Sequence, residues 1–144
     1  MSKMRLLSVL SLALSLSVNA ATSLNATLYK DPNCGCCEAY VAYLKQHGFQ
    51  VTAINTPDMA RIKSQSGIPS AQASCHTTKV AGYVIEGHVP VSAINKLLTE
   101  KPKITGITAP GMPVNSPGMG KENGHLAVYA ITKGVITSQP YGYF

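Results

Sequence analysis

The chain has 144 residues, 45% of them hydrophobic, with 12 lysines and arginines against 6 acids and a formal charge of +6. That is a single-domain length, able to bury a core without relying on disulfides. The positive charge is scattered from Lys30 to Lys133 with no basic run and no interleaved aromatics, so nothing supports nucleic-acid binding beyond a high isoelectric point.

Lys3 and Arg5 precede an apolar run from Leu6 to Val18, which ends at the small-residue site Val18-Asn19-Ala20. This is the three-part pattern of a secretory signal peptide, and the run is short for a membrane span. The expectation is a signal peptide over residues 1–20, cleavage after Ala20, and a periplasmic mature domain over residues 21–144 with no membrane association.

Leu24 to Tyr29 reads as a strand ending at the turn formers Asp31-Pro32-Asn33. A helix follows, capped by Asn33 or a neighbour, with Cys37, Tyr40, Val41 and Leu44 on one face and its stop at Gly48. Phe49 to Ile54 alternates as a second strand. Thr56-Pro57 is expected to open a helix, Thr56 as N-cap and Pro57 in its first position, carrying a core Met59 and Ile62 and ending near Gly67. Residues 68–78 read as irregular, Val80 to Glu86 as a strand, Gly87 to Pro90 as a turn, and Val91 to Thr99 as a helix with Ile94, Leu97 and Leu98 inward. Residues 101–124 form a Pro/Gly/Met loop, and Leu126–Ile131 and Val135–Thr137 two short strands. The order indicates an α/β (α+β) domain, a mixed sheet flanked by helices, with a cysteine motif at the first strand-to-helix turn as in thioredoxin-like folds.

Cys34-Gly35-Cys36-Cys37 places three of the four cysteines in four residues, and three readings compete. Exported cysteines pair as disulfides by default, Cys34 with Cys37 and Cys36 with Cys75. A Cys-x-x-Cys at a helix N-terminus also suits a thiol-disulfide oxidoreductase, although a third adjacent thiol invites mispairing. The third reading is a soft-metal site: three adjacent thiolates crowd a single tetrahedral ion but suit a centre in which sulfur bridges more than one Cu(I). Cys75-His76 would add a thiol and an imidazole, and His88 would join them if its turn faces the cysteines. Met112 and Met119 lie in a Pro/Gly segment rather than on a helix or strand, and a thioether stays a competent soft ligand where thiols oxidise. His47 is assigned a structural place at the end of the first helix, and His125 none.

Cys34-Gly35-Cys36-Cys37, Ser74-Cys75-His76-Thr77, Gly82 to Pro90, Gly111-Met112-Pro113 and Ser116-Pro117-Gly118-Met119, in that order, resemble the periplasmic CopG-type copper-resistance family. The chain departs from that pattern at Val114-Asn115 and at Gly120. The resemblance implies a thioredoxin-like domain that binds several copper ions through bridging cysteines and takes part in copper tolerance by interconverting Cu(I) and Cu(II). By motif, Cys34, Cys36, Cys37 and Cys75 match its cysteines, Met112 and Met119 its methionine loop, and His88 its Glu-Gly-His-Val-Pro turn. The partners expected are copper ions and a periplasmic copper exporter or copper-protein acceptor. A thiol-disulfide oxidoreductase and a copper chaperone are the alternatives.

Overall fold

The computed structural model describes residues 23–144, so the expected signal peptide lies outside the described residues. The elements are β1 (Leu24–Lys30), α1 (Gly35–Gln46), β2 (Phe49–Asn55), α2 (Met59–Gln65), a single 3-10 turn (Ser70–Gln72), β3 (His76–Val80), β4 (Tyr83–Glu86), α3 (Val91–Glu100), β5 (Gly106–Thr108), β6 (Ala127–Thr132) and β7 (Val135–Tyr143). They form one seven-stranded sheet in the order β2-β1-β3-β4-β5-β6-β7. β1 runs parallel to β2 and β4 parallel to β5, and every other neighbouring pair is antiparallel. The α+β architecture expected from the sequence, a mixed sheet with helices, is the observed one.

Alternation along the central strands explains how the sheet divides its residues. Ala26, Leu28 and Lys30 of β1 pair across to Val80, Thr78 and His76 of β3, all on one side of the sheet. On that side Tyr40, Val41 and Leu44 of α1 and Ala93, Ile94 and Leu97 of α3 join Leu28, Ile85 and Ile107 in the main core. The apolar stripes foreseen for α1 and α3 are therefore the faces these helices bury, except that Leu98 is only partly buried. The opposite side carries Thr77, Glu86 and Thr108 from β3, β4 and β5. Lys63 of α2 reaches Thr77 and Glu86 there, and Ile68, Val84 and Ile131 form a smaller cluster of their own.

Four local expectations need correction. Thr56 and Pro57 do not start α2; Asp58 is its N-cap, with Oδ1 accepting from the Arg61 amide at 3.3 Å, while the Thr56 hydroxyl accepts from the Asp58 amide in the preceding turn. Met59 is half-buried and belongs to neither core cluster. The segment from Cys75 onward is not irregular. His76–Val80 and Tyr83–Glu86 form a hairpin whose two-residue turn, Ala81-Gly82, has positive φ at both positions (48° and 85°), which matches the twist of the flanking strands. The Pro/Gly/Met segment also contains a strand, β5, which joins the first four strands to the β6–β7 hairpin.

Candidate metal centre

The turn from β1 into α1 is closed by the Cys34 amide donating to the Asp31 carbonyl at 3.2 Å. Cys34 is the helix N-cap and uses no side-chain capping bond, so its sulfur is free for other chemistry. Cys36 and Cys37 follow in the first helical turn, where unpaired backbone N–H groups and the helix dipole favour negative charge. Cys75 precedes β3, and the pairing of Lys30 with His76 brings it beside that turn.

The four sulfurs lie within 4.8 Å of one another. Cys34 and Cys37 are joined by a disulfide, while Cys36 and Cys75 are free thiols. Cys36 Sγ is central, 3.5 Å from Cys34 Sγ and 3.7 Å from Cys75 Sγ. Met112 brings a fifth sulfur, its Sδ 2.8 Å from Cys75 Sγ, and its side chain is otherwise exposed. Burial and the neighbouring Cys36 thiol push the Cys75 thiol up to about 11, so it holds its proton at neutral pH.

Behind the cysteines sits a layer of buried rings. His76 and His88 are both fully buried, their ring centroids 4.7 Å apart, and Tyr40 packs on both at 4.5 and 5.2 Å. Tyr40 is held by its hydroxyl donating to the Val89 carbonyl at 2.7 Å. His88 Nδ1 lies 2.7 Å from the Pro117 carbonyl, which fixes the proton on Nδ1 and leaves Nε2 as a lone pair. Neither nitrogen of His76, nor Nε2 of His88, has a hydrogen-bond partner among the described residues. Burial lowers both imidazoles below their ordinary 6.5, with His88 and Lys63 adding to the shift at His76.

That shift carries a prediction for the metal-free protein. The folded state keeps His76 and His88 neutral while the unfolded chain protonates them near 6.5, so stability is full above that pH and falls as pH drops below it. His76 alone sets a slope of about 1.4 kcal/mol per pH unit, and His88 acts in the same direction. Urea midpoints measured from pH 7.5 down to 5 should fall accordingly. His76→Phe should flatten the profile.

The structure thus gathers Cys34, Cys36, Cys37, Cys75 and Met112 at one place, with His76 and His88 in the adjoining ring layer. Met119 follows Gly118 in the loop. Its half-buried turn packs over α1, where a Cβ on Gly118 would come within 3.1 Å of the Tyr40 amide nitrogen. His47 closes α1, its ring against Tyr43, and His125 is exposed. Sequence reasoning passed over Tyr40 as plain core. It also passed over a buried polar cluster beneath Cys75: Glu86 accepts from Lys63 Nζ at 2.5 Å, from the Thr77 hydroxyl at 2.7 Å and from the Ser74 amide at 2.7 Å. An acid and a lysine at a separation of 23 residues leave no local pattern to find.

Soft donors dominate the cluster, and its dimensions suit a metal. Two sulfurs on one tetrahedral ion with bonds of about 2.3 Å lie about 3.8 Å apart, close to the 3.5 and 3.7 Å around Cys36. Opening the Cys34–Cys37 bond by two electrons would make all four sulfurs available as thiolates.

Among known proteins, the family model described as "Protein of unknown function, DUF411" matches residues 72–119, the stretch from the turn before Ser74 to Met119. No curated protein matches the chain. Two solved structures do, "Copper resistance protein copG- Form 2" and "Copper resistance protein copG- Form 1". Each is 39% identical, covers 80% of this chain and 94% of its own, and superposes with a TM-score of 0.72. The chain belongs to the family of the copper resistance protein CopG.

Proposed function

We propose that this is a periplasmic copper-binding protein of copper resistance, which holds copper in a cluster built on Cys34, Cys36, Cys37 and Cys75. The observation that carries this reading is the convergence of four cysteine sulfurs within 4.8 Å, three from the N-terminal end of α1 and one from the residue before β3. Their softness selects Cu(I) over harder cations. With Cys36 central and four sulfurs available after reduction, the cluster suits more than one ion through shared thiolates. Met112 adds a thioether at the solvent side, and the unpartnered nitrogens of His76 and His88 offer imidazole donors from behind. Met119 is assigned to holding the loop in place. Copper, as cargo, displaces the Cys75 proton on binding, so uptake releases acid.

The signal-like residues 1–20 support export, and no helix among the described residues is long and apolar enough to cross a membrane. The Cys34–Cys37 disulfide supports a redox role as well. Closing it returns two electrons, which two Cu(II) ions can accept to become Cu(I), and reopening it requires an external reductant. An exporter or copper-protein acceptor in the same compartment would take the metal onward.

The test is anaerobic titration of the reduced mature chain with Cu(I) against a chromogenic chelator. Two or more copper ions per chain are expected. Absence of chelator-resistant copper, with zinc or no metal bound instead, would refute the assignment.

A further inference from the structure

Ser74 stands between the rigid and the exposed halves of the site. Its backbone amide donates to Glu86 Oε1 at 2.7 Å, and that carboxylate is fully buried and paired with Lys63. Gly87 packs against it so closely that a Cβ there would lie 2.6 Å from Ser74 Oγ and 2.8 Å from the Ala109 carbonyl, at a backbone φ of +77°. Ser74 is therefore fixed from the sheet side. The same hydroxyl that Gly87 packs against donates to the Gly111 carbonyl at 2.5 Å, in a contact open to solvent. Gly111 is the residue before Met112, whose thioether covers Cys75.

We propose that Ser74 is a positioning residue, a latch that holds the Met112 loop over Cys75, and that release of this latch controls the exchange of metal at the Cys75 side of the cluster. Four observations converge on this. The anchor end is buried and charge-assisted, so it does not yield first. The loop end is one neutral hydrogen bond exposed to competing water. Gly111 also sits at φ +71° with open space around it, and Pro110 and Pro113 bracket it, so the loop can swing as a short unit about its glycine. Finally, Tyr40, His76 and His88 are fully buried while Met112 is 54% exposed, so the sulfur that covers Cys75 is one that faces solvent. The copper half of this inference rests on the function proposed above; the latch itself does not need it.

The latch is tested by Ser74→Ala, which keeps the Cβ and the backbone amide and removes only the hydroxyl. Two rates are read. In metal-free protein with Cys34–Cys37 oxidised, iodoacetamide should alkylate Cys75, located by peptide mass, about three- to tenfold faster than in the parent, the range a solvent-exposed neutral hydrogen bond supports. In reduced, Cu(I)-loaded protein, transfer to bathocuproine disulfonate, taken per copper bound, should accelerate by a similar factor. Neither rate should change further when Ser74→Ala is added to Met112→Ala, because the latch acts through Met112. An alkylation rate equal to the parent's, or an equal acceleration in the Met112→Ala background, overturns the proposal. A parent chain that binds no Cu(I) would defeat the copper function instead, and the alkylation rates would still decide the latch.

Discussion

Lys63→Met is expected to lower the unfolding free energy by about 3–5 kcal/mol, the usual cost of removing one member of a buried ion pair. Glu86 is completely buried, and its carboxylate is satisfied by Lys63, the Thr77 hydroxyl and the Ser74 amide. Without the ammonium a charge remains buried on the α2 side of the sheet with two neutral donors to support it. The carboxylate would then lack one of its three donors, and water would have to enter to replace it. Lys63→Met combined with Glu86→Gln should recover much of the loss, because the uncompensated charge is gone while the amide still offers an acceptor to Ser74. Urea unfolding of the disulfide-intact protein at pH 7.5 measures both variants. A single substitution costing less than about 1 kcal/mol, the value of an exposed pair, would mean that this lysine reaches solvent and that the pair is not the anchor described here.

Cys36→Ser is expected to cause the largest loss of copper of any single substitution outside the disulfide pair. Its sulfur is the one that approaches both Cys34 and Cys75, at 3.5 and 3.7 Å, so the change removes the common neighbour and leaves donors at opposite sides. A serine hydroxyl is a hard, protonated donor that does not replace a bridging thiolate. Copper retained per chain after desalting with a competing chelator should fall by at least half. Cys36 is only half-buried and lies outside both core clusters, so the unfolding free energy of the metal-free protein should stay within about 0.5 kcal/mol of the parent's, as for surface changes generally. Full copper retention in Cys36→Ser would rule out a cluster bridged at this sulfur.

The contrast between these two substitutions shows what could be read directly from the residues. Cys36 announces itself through the Cys-Gly-Cys-Cys run, and α1 and α3 announce their inner faces through three- and four-residue spacing. Local signals carried all of these. β3 has no such signal, because His76, Thr77, Thr78 and Val80 are buried on both sides of the sheet and no polar–apolar alternation marks the strand. β5 has only Gly106, Ile107 and Thr108 and is held by its neighbours rather than by its own pattern. Lys63, Glu86 and Ser74 would ordinarily be read as surface residues. Only the packing of α2 against β3 and β4, set by long-range pairing, turns them into an internal support for Cys75. The ring layer is a similar case, because Tyr40 acquires its place between His76 and His88 from three separate elements.

The order of assembly follows from how far apart in the chain these sulfurs lie. Cys34 and Cys37 can meet as soon as one helical turn has formed, a closure spanning three residues. The meeting of Cys36 with Cys75 spans 39 residues, and that of Cys75 with Met112 spans 37, so both wait for β1 to pair with β3 and for the loop to settle on the finished sheet. An emerging or half-folded chain therefore presents a vicinal dithiol but no enclosed four-sulfur pocket. In the proposed function, metal capture by all four sulfurs would come last, as a certificate of completed topology, and a misfolded copy would be disqualified from it by geometry alone.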